Sequence, residues 1–98
     1  MSDRHHDITP ERIAALRVIL TDIPGTDAEA QRQRQLAAME RLQNVSTFEC
    51  SRCLDIYYPP ARKRELVLMG HPVKLTWRDV ITEAGERHRV GVYYLERA

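Results

Sequence analysis

Glycine is scarce in this 98-residue chain: it has four, and none form the clustered pattern that a phosphate-cradling loop requires. Cysteine is scarcer still. Cys50 and Cys53, without a secretory signal, point to reduced thiols rather than a disulfide framework. No apolar run is long enough to cross a bilayer, and the start, Met1-Ser2-Asp3-Arg4-His5-His6-Asp7, lacks a signal-peptide pattern, so the expected location is the cytoplasm. A large charge of one sign is missing too. The formal net charge of +1 excludes a protein that clings to nucleic acid by bulk charge, so any electrostatic signal must be local. No paired acid and base and no nucleophile with its base stand out, so the expected protein is not an enzyme and carries no cofactor.

What is present fits one globular unit. Hydrophobic residues make up 43% and charged residues 30%, which rules out wholesale disorder. The charge is unevenly placed: residues 1–30 carry a net −3, residues 31–70 a net +3 and residues 71–98 a net +1. The positive excess falls on the middle of the chain.

Residues 1–8 are polar and expected to be disordered, with His5 and His6 simply solvated. Thr9-Pro10-Glu11 starts a helix: a cap, a proline at the first helical position and an acid that suits the dipole. Ile13, Leu16 and Leu20 share a face that Val18 and Ile19 broaden, until Asp22-Ile23-Pro24-Gly25 ends it. This helix serves either as a strut over the core or as a dimerisation helix. Thr26-Asp27-Ala28-Glu29 then reads as a capping box, opening a helix to about Gln43. Leu36, Ala38, Met39 and Leu42 face the core; Gln31, Arg32, Arg34 and Gln35 make a polar face, solvated or touching phosphate.

Ser46-Thr47-Phe48-Glu49 is a second capping box, and its helix runs through Cys50 and Cys53 to Leu54. Asp55-Ile56-Tyr57-Tyr58 breaks the pattern before Pro59 or Pro60 starts another helix, which Gly70 ends as a left-handed cap with Pro72 just beyond. Val73, Leu75 and Trp77 alternate with polar neighbours as a half-buried strand, with Trp77 expected to cap the core. Val80-Ile81-Thr82 extends it, residues 83–86 make the turn and Val90 to Leu95 return.

Ser46-Thr47-Phe48-Glu49, Leu54-Asp55, Ala61-Arg62, Glu65-Leu66, Gly70-His71-Pro72-Val73 and Trp77 resemble the small winged-helix, helix-turn-helix domain proteins of phages and bacteria, from about Asp27 to the C-terminus. The resemblance implies an α+β, mainly helical fold, a winged helix-turn-helix with a three-helix core and a C-terminal β-hairpin wing, plus an extra N-terminal helix. The division is residues 1–25 as the N-terminal extension and 26–98 as the domain. The resemblance further implies double-stranded DNA binding, with the helix at 59–69 as recognition helix and the hairpin at 83–89 as wing. Two departures bear on that surface: Lys63 stands where the family is often apolar, and Val67 and Leu68 where it is often basic or polar. Either the helix is rotated, burying Val67 and snorkelling Lys63, or part of the basic face has become an apolar contact surface.

The candidate DNA contacts follow. Arg62, Lys63 and Arg64 lie near the start of the second helix, where the helix dipole adds to their charge and an arginine can make a bidentate contact to guanine. Tyr58 lies in the turn, and Ser46 and Thr47, opening the preceding helix, can donate to phosphate. Arg87 and Arg89 fix register from the wing, with His88 pointing the other way and Glu83 and Glu86 partly offsetting them. Cys50-Ser51-Arg52-Cys53 has the C-x-x-C spacing but lacks further ligands, so small buried hydrophobes are the better reading and no metal is expected. The resulting expectation is a small transcriptional regulator, and because one helix-turn-helix unit makes few base contacts, a homodimer on a two-fold site fits it. The alternative is a winged-helix protein–protein interaction module that uses Val67, Leu68 and Met69 or the N-terminal helix and does not bind DNA.

Overall fold

The computed structural model describes residues 9–81 and 84–97. The N-terminal stretch with His5 and His6, and Thr82 and Glu83 of the expected turn, lie outside the described residues. Seven elements follow one another: α1 (Pro10–Asp22), α2 (Ala28–Leu42), β1 (Asn44–Ser46), α3 (Thr47–Cys53), α4 (Pro59–Leu68), β2 (Val73–Ile81) and β3 (Arg87–Leu95). The strands form one antiparallel sheet in the order β1-β3-β2. The fold is α+β and mainly helical, and the expected order of helix, turn, helix and hairpin is the order found.

The helix ends explain themselves chemically. Thr9 caps α1, its hydroxyl accepting from the Arg12 N–H at 3.1 Å, with Pro10 first in the helix. At α3 the capping box is complete: Ser46 Oγ accepts from the Glu49 N–H at 3.0 Å, and Glu49 accepts from the Ser46 N–H at 2.9 Å. The box expected at Thr26 is not formed. Asp27 is the cap instead, accepting from the Ala30 N–H at 3.1 Å, and the Thr26 carbonyl takes the Gln31 amide. A carboxylate one residue on outcompetes the hydroxyl. α4 ends as foreseen at Gly70 (φ +100°), where the Gly70 N–H bonds the Val67 carbonyl and the His71 N–H bonds the Leu66 carbonyl. That is a Schellman ending, which needs the left-handed residue that glycine supplies without strain.

A single core gathers Leu16 and Ile19 of α1, Ala38 and Met39 of α2, Val45, Cys50, Leu54, Ile56, Leu66, Val73 and Tyr93. α1 is thus built into the core. Val18, expected to widen its apolar face, is exposed. The α1 attachment is also polar. Arg12 bonds Glu49 twice, at 2.7 and 3.1 Å, and the Asn44 carbonyl at 2.6 Å, tying α1 to the start of α3 and to β1.

The polar face expected on α2 is largely not a surface. Gln31, Arg34 and Gln35 are buried, Arg34 completely. Its guanidinium donates to four main-chain carbonyls: Leu54 and Ile23 at 2.7 Å, Gly25 at 2.9 Å and Asp55 at 3.3 Å. Two of these close α1 and its loop, and two close the turn after α3. Contact with phosphate is therefore closed to Arg34. Gln31 likewise accepts from the Tyr57 N–H at 3.1 Å, so α2 organises the α3–α4 turn through side-chain amides.

Burial raises the Cys50 thiol far above the ordinary 9.0, with the neighbouring Glu49 carboxylate adding to it. Burial also raises Cys53 and pushes the Tyr93 phenol up to about 12. In the unfolded chain these groups release protons from about pH 9 upward, while the folded chain retains them. Their contribution to stability is therefore complete below pH 9 and is lost as pH rises through the folded values. The urea midpoint is expected to be level up to about pH 9 and to fall beyond it. Cys50→Ala should lower the midpoint at neutral pH yet flatten the alkaline decline, whereas an unchanged alkaline slope would exclude Cys50 as its source.

Candidate nucleic-acid interface

α4 is held to the body by Leu66 and Pro59, both buried, and by an ion triad on its inner flank. Glu65 receives Arg32 of α2 at 3.2 Å and Arg62, one turn earlier on its own helix, at 2.8 Å. Arg62 is thus paired within its own helix rather than a free cation, and Arg32 is the residue that ties Glu65 to α2. Lys63 and Arg64 form no ion pair among the described residues, and Arg64 is exposed. The basic trio legible in the sequence divides into one structural residue and two available ones.

The start of α4 differs from the expected anion site. Pro59 and Pro60 have no N–H, and the Ala61 and Arg62 N–H groups already point at the Tyr58 carbonyl, at 3.1 and 3.4 Å. Backbone donors that would cradle a phosphate are missing there. Attraction of an anion falls to side chains. Tyr57 and Tyr58 are both exposed at this end. Ser46 is not: it is buried, with its hydroxyl spent on the helix cap, and the role in phosphate contact expected of it is withdrawn. Thr47, the next residue, reaches the surface groove described below.

The returning strand begins at Arg87 rather than Val90, which places the whole Arg87-His88-Arg89 trio inside the hairpin. Its register pairs Ile81 with Arg87, Val80 with His88 and Asp79 with Arg89. Alternation puts Arg87 and Arg89 on the face shared by Leu75 and Trp77, with His88 on the other. Arg89 lies over the Trp77 ring at 5.1 Å from its centroid, a cation–π contact that positions the guanidinium.

Trp77 does not cap the core. It is 55% exposed and Leu75 is 41% exposed. Both residues instead face α4 across a groove of about 580 Å³. Val67 of α4, 43% exposed, forms the opposite wall, while Tyr93 and Gly91 of β3 form the floor. Lys63, Arg64 and Arg89 stand along it, and among the described residues no carboxylate lines it. Of the two arrangements open for α4, the apolar contact surface is the one adopted: Val67, Leu68 and Met69 are all exposed.

Of the residues expected at the interface, Thr47, Lys63, Arg64 and Arg89 line this one groove, while Ser46, Tyr58, Arg62 and Arg87 do not. Among the described residues no group of three or more histidines, cysteines or acids is placed to hold a metal, and no helix is long and apolar enough to cross a membrane.

A family model described as a winged helix-turn-helix domain matches residues 30–98. No curated protein and no solved structure matches the chain.

Proposed function

The chain belongs to the winged helix-turn-helix domain family, and on that premise we propose that it is a double-stranded DNA-binding protein, a small transcriptional regulator of the cytoplasm and not an enzyme. α4 enters the major groove, with Lys63 and Arg64 toward bases or flanking phosphate, and the hairpin acts as wing through Arg87 and Arg89. Tyr58 and Thr47 contact phosphate at the edges. The observation that carries this reading is the convergence of Lys63, Arg64 and Arg89 on one groove, with no acid among its described lining residues, in a chain whose net charge is only +1. One such unit makes few base contacts, so a dimer on a two-fold site is the working assembly.

A second reading rests on Val67, Leu68 and Met69: their exposure on α4 fits a module that binds protein and leaves DNA alone. Fluorescence anisotropy with random-sequence duplex DNA at low and moderate salt separates the two. About four neutralised phosphates give a slope of log affinity against log salt near −3.6. Lys63→Ala/Arg64→Ala should reduce the steepness by about 2, while Arg62→Ala, whose guanidinium is held by Glu65, should change it far less. Absence of binding at the lowest salt would refute the DNA reading and favour the second.

A further inference from the structure

We infer that the groove between α4 and the hairpin is a binding site for a small anionic amphiphile, an apolar body bearing one carboxylate, sulfonate or phosphate. The volume of about 580 Å³ lies within the range of small-molecule sites. Its walls are apolar and face each other: Val67 from the helix, Leu75 and Trp77 from the strand. A nucleic acid backbone has no use for such walls, since phosphate contacts need only cations and hydrogen-bond donors. An apolar ligand body does, because seating it removes three partly exposed side chains from water.

The head group is specified by the rim. Lys63 and Arg64 stand on the helix side without an ion-pair partner among the described residues, and Arg89 stands on the strand side, its guanidinium held over the Trp77 ring. Three cations line the groove with no acid among its described lining residues, Asp79 pairing with Arg89 in the sheet but not lining it, and this charge favours an anionic ligand over cationic and neutral ones. The floor is kept low by Gly91. A Cβ there would meet Leu75 Cδ1 at 3.1 Å and Thr47 Cγ2 at 3.4 Å, so a side chain at this lining position crowds Leu75 and takes up groove space. Its backbone is not left-handed, and close approach rather than conformation is what calls for glycine at this position.

The occupant has a regulatory consequence, which rests on the proposed function. Lys63, Arg64 and Arg89 are also the cations assigned to DNA, so a bound anion withdraws them and ligand and duplex compete for the same free protein.

Trp77 is the sole tryptophan and supplies the readout. The full-length chain is titrated, without DNA, with phenylbutyrate, phenylbutanol and phenylbutylamine, which share one apolar body and differ in charge. Trp77 emission is expected to change saturably with phenylbutyrate, with an affinity about tenfold above that of the alcohol, and not to respond to the amine. Val67→Glu, on the exposed face of α4, and Gly91→Val should each weaken phenylbutyrate by about tenfold or more. Equal responses to the three compounds, or a folded Val67→Glu protein with undiminished affinity, would overturn the site. Phenylbutyrate is then added to the duplex complex. Release of the duplex over the concentrations that saturate Trp77 supports competition, and a duplex untouched at saturation overturns it. Binding of phenylbutyrate by a protein with no duplex affinity supports the site and refutes the DNA reading instead.

Discussion

Arg34→Met is expected to cost about 4 kcal/mol of stability or more and to lower the melting temperature by about 20 °C. Every hydrogen bond of this fully buried guanidinium goes to a main-chain carbonyl, and those carbonyls come from separate segments: Ile23 and Gly25 in the α1–α2 loop, Leu54 and Asp55 after α3. Ile23 and Leu54 are the caps closing the C-terminal ends of α1 and α3. Two negative dipole ends thus converge on one cation, which is how a buried charge is kept without a carboxylate. Methionine fills much of the volume but takes the donor from four carbonyls, of which the bond to Leu54 is buried and the other three are partly buried. A buried acceptor left unsatisfied costs about 1–3 kcal/mol before relaxation. Arg34→Lys should fall between: an ammonium keeps the charge yet cannot fork to both segments at once. Thermal unfolding followed by circular dichroism measures both variants. A melting temperature within about 5 °C of wild type for Arg34→Met would show that the carbonyls find other donors.

Arg12→Met should cost about 2–3 kcal/mol. The Glu49 carboxylate, nearly inaccessible to water, retains the Ser46 N–H at 2.9 Å but loses both bonds to its partner cation. The figure is set below that of a fully buried pair because Arg12 itself is partly exposed. Removing the charge as well should recover part of the loss: Arg12→Met/Glu49→Gln keeps an amide oxygen for the helix cap and no longer buries a lone anion, so it is expected to be about 1 kcal/mol more stable than Arg12→Met alone. Urea unfolding of the two singles and the double closes the cycle. A double variant weaker than Arg12→Met would mean that the cap, not the charge pair, dominates at this corner.

These two arginines mark what could and could not be read in advance. Helix boundaries were legible because they are local chemistry: Thr9-Pro10, Ser46 with Glu49, Pro59-Pro60 and Gly70 each act within a few residues of themselves. The misplacement of the α2 start by one residue, Thr26 for Asp27, is an error between neighbouring caps. Arg34 was misread for a different reason. A charged residue on a helix is ordinarily surface, and its burial depends on carbonyls from segments well removed in sequence. The hint lay in spacing, since Ala30, Gln31, Arg34, Ala37 and Ala38 recur at helical intervals as a stripe of small and hydrogen-bonding residues, all buried.

The candidate site was half legible for related reasons. Lys63, Arg64 and Arg89 are recognisable by type, and the family pattern gave their elements. Arg62 differs from Arg64 in standing three residues before Glu65, the spacing of an intrahelical ion pair, and the approach of α2 adds Arg32 to that pair. Trp77 has the alternation of a buried residue, but alternation reports which side of a sheet a residue occupies, not whether anything lies above it. Past Val73 the same side of β2 becomes a groove wall.

The hairpin's placement carries one more consequence. With β3 in the centre of the sheet, all nine residues of β2 form a border that no other strand among the described residues covers. A long border bearing exposed Leu75, Trp77 and Ile81 is a template for joining one molecule to the next. Lys74, Arg78 and Asp79 interrupt its apolar run and act as gatekeepers against that growth. Since the isoelectric point of about 7.9 leaves little overall repulsion near neutral pH, colloidal stability depends heavily on those few charges.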